Sequence, residues 1–183
     1  TSPAEFGDIE SNLYNTKLRY QLAPYYYSLA YYLHKTGSPI VAPLVIYYQH
    51  DKKVRHITDQ KCIGENIIIK QILNSTKFTK VYLPAGTWIL YRTDDIYNSR
   101  GEWFYNIPVV VDNVISPPLF IKAGAIVPLY VIPDRSFNID TLDTVIIKIF
   151  PTINETKFIV YNDNENGKTN ISIITQKINN NRL

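Results

Sequence analysis

Three histidines, one cysteine and a single adjacent carboxylate pair are where a catalytic site would have to start in this 183-residue chain. A nucleophilic triad needs a serine or cysteine beside a histidine that a carboxylate orients. His34, His50 and His56 stand without a GxSxG elbow, and Cys62 lies in the apolar, strand-like KCIGENIII, the setting of a buried and inert thiol. His50 and His56 are six residues apart with Asp51 between them, which matches no standard metal-ligand spacing. NDNENG (162–167) half-resembles a calcium loop, but Asn162 holds its first position and Ile173 the twelfth, where a bidentate glutamate is needed; a polar turn is the better reading. Asp94-Asp95 could hydrolyse a glycoside only if one carboxyl kept its proton, and neighbours on a solvated turn cannot be driven apart in that way. No glycine cluster is present to cradle a phosphate, and no residue pattern calls for a cofactor. The residues alone therefore assemble no catalytic constellation.

The elements that would position these groups are mainly β. Hydrophobic residues make up 45% and charged residues 19%, the composition of a packed chain. Net charge is +3 and the charges are scattered, so nothing points to nucleic acid. No apolar run reaches the roughly 20 residues of a membrane helix. Leu18, Leu22, Leu29 and Leu33 form one helical stripe within residues 8–36, with Asp8 as a start signal and His34, Lys35, Gly37 and Pro39 as a stop. Pro24 inside that stripe predicts a kink near Gln21 or two joined helices. Five tyrosines, Tyr25, Tyr26, Tyr27, Tyr31 and Tyr32, spread over more than one face of it and are expected to pack rather than to bind.

Short β-branched and aromatic runs follow at 39–49, 65–73, 80–84, 87–92, 102–111 and 118–130, the spacing of a β-sandwich. Residues 131–143 read as a linker, three further strands read from 144 onward, and the asparagine-rich INNNRL (178–183) reads as a frayed end. The expected domains are thus 1–36, 37–131 and 132–183. Methionine is absent throughout and the chain opens at Thr1, which suits a piece of a longer protein.

VYLPAGTWILY (81–91) carries more information than any lone titratable group. It resembles a stretch of glycoside hydrolase family 31, the α-glucosidase and α-xylosidase group. LRYQLAPYYYSLAYYLHKTGSPIVAPLVIYY, ITDQKCIGENIII, PPLFIKAGAIVPL and FIVYNDNENG are similar to further blocks of that family, in the family's order, over residues 14–167. Ala42 and Lys122 depart from it, each standing where the family usually has arginine.

The resemblance implies the last helix of a (β/α)8 barrel, then an antiparallel β-sandwich and the start of a second. It also implies a parent protein that is a retaining α-glucosidase. The family's nucleophile and acid/base lie upstream of the segment matched here, so no catalytic residue is carried onto this chain. Its implied partners are the remainder of the parent glycosidase and, through that, an α-glucoside or oligosaccharide. Pro84-Ala85-Gly86 is expected to form a hairpin turn and Trp88 to be buried. The alternative is a carbohydrate-binding sandwich using Trp88, Trp103, Phe104 and Tyr105. Asn74, Asn154 and Asn170 open N-x-S/T triplets, so glycosylation and a secretory location are expected as well.

Overall fold

A computed structural model describes residues 7–74, 76–133, 144–163 and 169–178. The chain forms two compact units, one from Pro39 to Ala123 and one combining Thr1–Ser38 with Gly124–Leu183.

The Pro39–Ala123 unit is an antiparallel β-sandwich. Its strands are β1 (Val41–Pro43), β2 (Gln60–Ile63), β3 (Ile67–Lys70), β4 (Phe78–Leu83), β5 (Gly86–Leu90), β6 (Ile96–Ser99), β7 (Glu102–Pro108), β8 (Val110–Val111), β9 (Val114–Ile115) and β10 (Leu119–Lys122). One layer is a six-stranded sheet in the order β1-β2-β3-β10-β5-β6; β4 pairs with β7 in the facing layer, and β8 with β9 makes a small hairpin. The core joins the layers: Cys62, Ile68, Trp88, Leu90 and Phe120 from the large sheet meet Val81, Tyr82, Leu83 and Ile107 from β4 and β7. Gln60 ties them with a polar clamp inside this apolar core. Its amide nitrogen donates to the Tyr82 carbonyl and its amide oxygen accepts from the Tyr82 N–H, both at 2.8 Å. A buried peptide group left without such a partner would cost about 1–3 kcal/mol.

Three local details differ from the sequence expectation. Residues 84–86 do not close a hairpin, because β4 pairs with β7 whereas β5 pairs with β6 and β10. The segment is instead a corner carrying the chain from one layer to the other. Gly86 takes φ +139 there, and the Trp88 indole N–H donates to the Pro84 carbonyl at 2.9 Å. The run 39–49 is not one strand: after β1 it turns into α3 (Leu44–Tyr47), which buries Leu44 completely. Apolar runs this short cannot be assigned by periodicity. The run 102–111 is broken by a bulge opposite Thr79–Val81, where Asn106 takes φ +55. It then enters the β8–β9 hairpin, whose two turn residues Asp112 and Asn113 have φ +48 and +62. Paired left-handed residues of these types are what a two-residue hairpin requires.

The second unit begins with α1 (Ile9–Gln21) and α2 (Ala23–Thr36), broken where Pro24 was expected to interrupt. Asp8 caps α1 by accepting from the N–H groups of Glu10 and Ser11, and Gly37 ends α2 at φ +76. Its strands are β11 (Ile126–Tyr130), β12 (Val145–Ile149), β13 (Thr156–Asp163) and β14 (Thr169–Gln176), paired β11–β12 and β13–β14. The first of these pairs joins residues on either side of the boundary expected at 131/132. Tyr25 stacks on Phe158 at 5.3 Å and Tyr31 on Tyr161 at 4.6 Å, so these tyrosines of α2 pack against β13. The free edge of β13 is covered as well: Tyr161 N–H donates to Ser28 Oγ at 3.1 Å and Ile159 N–H to the Tyr32 hydroxyl at 3.4 Å. Of the leucine stripe, Leu22 and Leu29 are buried and Leu33 is 42% exposed. Tyr25, Ser28 and Leu29 define the buried face, and Leu33 lies at its rim. Most of the 131–143 linker, the centre of NDNENG and the INNNRL end lie outside the described residues.

Candidate functional site

Most groups singled out in the sequence stay apart in the fold. His34 is exposed near the end of α2, and His56 is exposed at the end of the 3-10 helix Lys52–His56. Cys62 is fully buried on β2, and burial pushes its thiol up to about 12, with nearby Lys122 opposing weakly. That thiol stays protonated at neutral pH and cannot act as a nucleophile. Asp94 and Asp95 are exposed on the turn after β5, where Asp95 accepts from the Thr93 hydroxyl at 2.7 Å. Among the described residues no group of three or more histidine, cysteine or acidic side chains is placed to hold a metal ion, and no helix is long and apolar enough to cross a membrane.

Asn74 is exposed after β3, Asn154 is exposed before β13, and Asn170 is exposed on β14 opposite Asn162. The Thr156 hydroxyl of the second triplet donates to the Gly124 carbonyl at 2.7 Å, so the folded structure already occupies it. The aromatic surface imagined for sugar stacking is not assembled. Trp88 is fully buried, Trp103 is half-buried with an edge contact to Tyr82 at 5.5 Å, and Phe104 meets Tyr97 edge-on; Tyr105 is the exposed member, at 67%.

The structure instead brings together groups that sequence spacing kept apart. A cleft of about 400 Å³ in the Pro39–Ala123 unit is lined by Tyr47, Tyr48, His50, Asp51, Lys53 and Tyr82, and closed by Pro84, Ala85, Arg100 and Gly101. Three segments build it: α3 with the start of the 3-10 helix, the corner after β4, and the turn between β6 and β7. Asp51 caps the 3-10 helix, accepting from the Lys53 N–H at 3.0 Å, and also accepts from the Tyr82 hydroxyl. Lys53 Nζ donates to the Gly101 carbonyl at 2.7 Å and lies 5.9 Å from the centre of the Tyr82 ring. Burial, then the Asp51 carboxylate and more distant Glu102, hold the Tyr82 hydroxyl well above the usual tyrosine range, so it remains a donor. Gly101 takes φ +86, and a Cβ there would lie 3.0 Å from the Tyr82 hydroxyl, so only glycine lets this turn approach so closely. Asp51 and Tyr82 are 31 residues apart, and no spacing rule links them.

Residues 37–127 match the glycosyl hydrolase family 31 C-terminal domain. The chain belongs to glycosyl hydrolase family 31, as a C-terminal portion. A 1,6-alpha-glucosyltransferase from Sporosarcina globispora is 29% identical over 148 residues, 80% of this chain and 11% of that protein. An alpha-glucosidase from Bacillus thermoamyloliquefaciens is 31% identical over 114 residues, 62% of this chain and 14% of that protein. Among solved structures, a Flavobacterium johnsoniae family 31 dextranase aligns over 98% of this chain and 23% of its own length, with a TM-score of 0.83 and 27% identity. The chain therefore spans a small part of each of these relatives. The family 31 assignment rests on the whole domain and not on any titratable group in it.

Proposed function

We propose that this chain is the C-terminal part of a retaining α-glucosidase that hydrolyses terminal α-linked glucose. In this reading it supports the catalytic barrel and carries neither catalytic aspartate. The observation that carries it is the match of residues 37–127 to the family 31 C-terminal domain, together with relatives named alpha-glucosidase. The named relatives include a glucosyltransferase and a dextranase, so the choice of α-glucoside hydrolysis is part of the proposal. Residues 1–36 are then the last helical segment of the barrel, 37–131 the proximal sandwich and 132–183 the start of the distal β domain. The partner is the remainder of the parent glycosidase, through which the chain meets its oligosaccharide substrate. The parent follows the secretory route, with Asn74, Asn154 and Asn170 as glycan acceptors.

Residues 1–183, purified alone, should not turn over maltose or a chromogenic α-glucoside. Turnover that survives repurification and disappears when a carboxylate of this chain is neutralised would overturn the supporting role. Intact-mass analysis of the native protein before and after enzymatic removal of N-glycans tests the secretory assignment, which fails if the mass does not change.

A further inference from the structure

We infer that the cleft between Asp51 and Arg100, backed by the buried Tyr82, is a binding site for a neutral polyol, a pyranose unit in size and chemistry. The inference goes beyond the supporting role proposed above and does not depend on it.

The charge pattern selects the class of ligand. Asp51 faces the cleft with a carboxylate, while Lys53 and Arg100 bring cations to the same walls. An anion would meet Asp51, and an organic cation would meet Lys53 and Arg100. A neutral molecule with adjacent hydroxyls suits both, because each hydroxyl can donate to a carboxylate and accept from a guanidinium. The apolar part of the lining agrees: Tyr47, Tyr48 and Ala85 offer carbon surface to the C–H face of a ring. About 400 Å³ falls within the usual range of small-molecule sites.

The acceptor is also fixed before any ligand arrives. Asp51 is held by the Lys53 N–H and the Tyr82 hydroxyl, which use two of the roughly four lone-pair directions of a carboxylate. Lys53 is held in turn by the Gly101 carbonyl, and Gly101 permits the close approach of the turn that carries Arg100. A pre-oriented polar group loses less freedom on binding than a mobile one.

The test is a titration of isotopically labelled residues 1–183 with methyl α-glucopyranoside, followed by amide chemical shifts. Inorganic phosphate and methylammonium serve as the charged probes. The site predicts saturable shifts confined to residues 47–53, 82–85 and 100–101, produced by the glucoside and by neither ion. Arg100→Ala should weaken the apparent affinity about tenfold or more, the size of a lost hydrogen bond from a charged group. His34→Ala, remote in the chain from the cleft, should leave it unchanged. Arg100 is exposed, so its variant should retain the parent circular dichroism spectrum; His50→Ala is a second rim variant expected to act in the same direction. Shifts that stay linear with concentration, saturable shifts elsewhere, or an equal response to phosphate would each overturn the inference. So would unchanged affinity in both rim variants.

Discussion

The two units of this chain solve the burial problem differently. In the Pro39–Ala123 sandwich, Leu44, Cys62, Ile68, Tyr82, Trp88 and Phe120 are wholly enclosed, and even the intruding amide of Gln60 is satisfied on both sides. In the unit formed by the helices and β11–β14, burial centres on α2 and β11, at Tyr25, Leu29, Ile126, Val127, Phe150 and Phe158. Elsewhere in that unit large apolar side chains face outward, among them Ile153 at 82%, Ile173 at 65% and Ile146 at 55%. Two facing layers can close a core on themselves, whereas in the second unit β11 is buried on both faces while β12 and β14 keep apolar side chains outward. One unit therefore closes a core between its layers, and the other leaves several of its large apolar side chains exposed.

The largest expected effect comes from emptying the closed core. Trp88→Ala should destabilise the sandwich by about 3–5 kcal/mol, since it leaves a cavity and frees the Pro84 carbonyl. Trp103 belongs to the same unit and survives as the reporter, so denaturant unfolding followed by its fluorescence measures the loss. A loss below about 1 kcal/mol would place Trp88 at a yielding surface and end the contrast.

An intermediate effect is a pH dependence. The Cys62 thiol is raised from 9.0 to about 12 by burial. The folded state then holds its proton through a range in which the unfolded chain releases it, so stability is full below pH 9 and falls as pH rises toward 12. At pH 10 the contribution of this one group is about 1.4 kcal/mol. Cys62→Ala should flatten the loss between pH 9 and 10, measured by denaturant unfolding at each pH. An unchanged slope would mean that the thiol is open to water.

The smallest effect belongs to the open unit. Ile173→Thr on β14 should change stability by less than about 0.5 kcal/mol, as for any exposed position. A loss above about 1.5 kcal/mol in a thermal melt would show that this face is covered in solution.

Much of the local structure is legible in the sequence because its causes are local. Pro24 lacks an N–H and must break the helix, Gly37 can take a left-handed turn, and Asp8 can accept from the first N–H groups. The burial of Trp88 and of Cys62 is readable from the apolar runs around them. Pairing was not. Pro84-Ala85-Gly86 looks the same as a hairpin turn or as a corner between layers, and only the partners β7 and β10 decide which it is. The cleft is further from view, since Asp51, Tyr82 and Arg100 come from three segments and each is an ordinary surface or strand residue in isolation.

By itself the sequence determined the β character, the broken helix and its caps, and the family resemblance, since these rest on residue type and on spacings of a few positions. The tertiary structure alone decided which strands face each other, which apolar side chains stay exposed, and that a carboxylate and a guanidinium share one cleft. Those outcomes depend on contacts between residues tens of positions apart, and their energies are settled only when both sides of each contact leave water together.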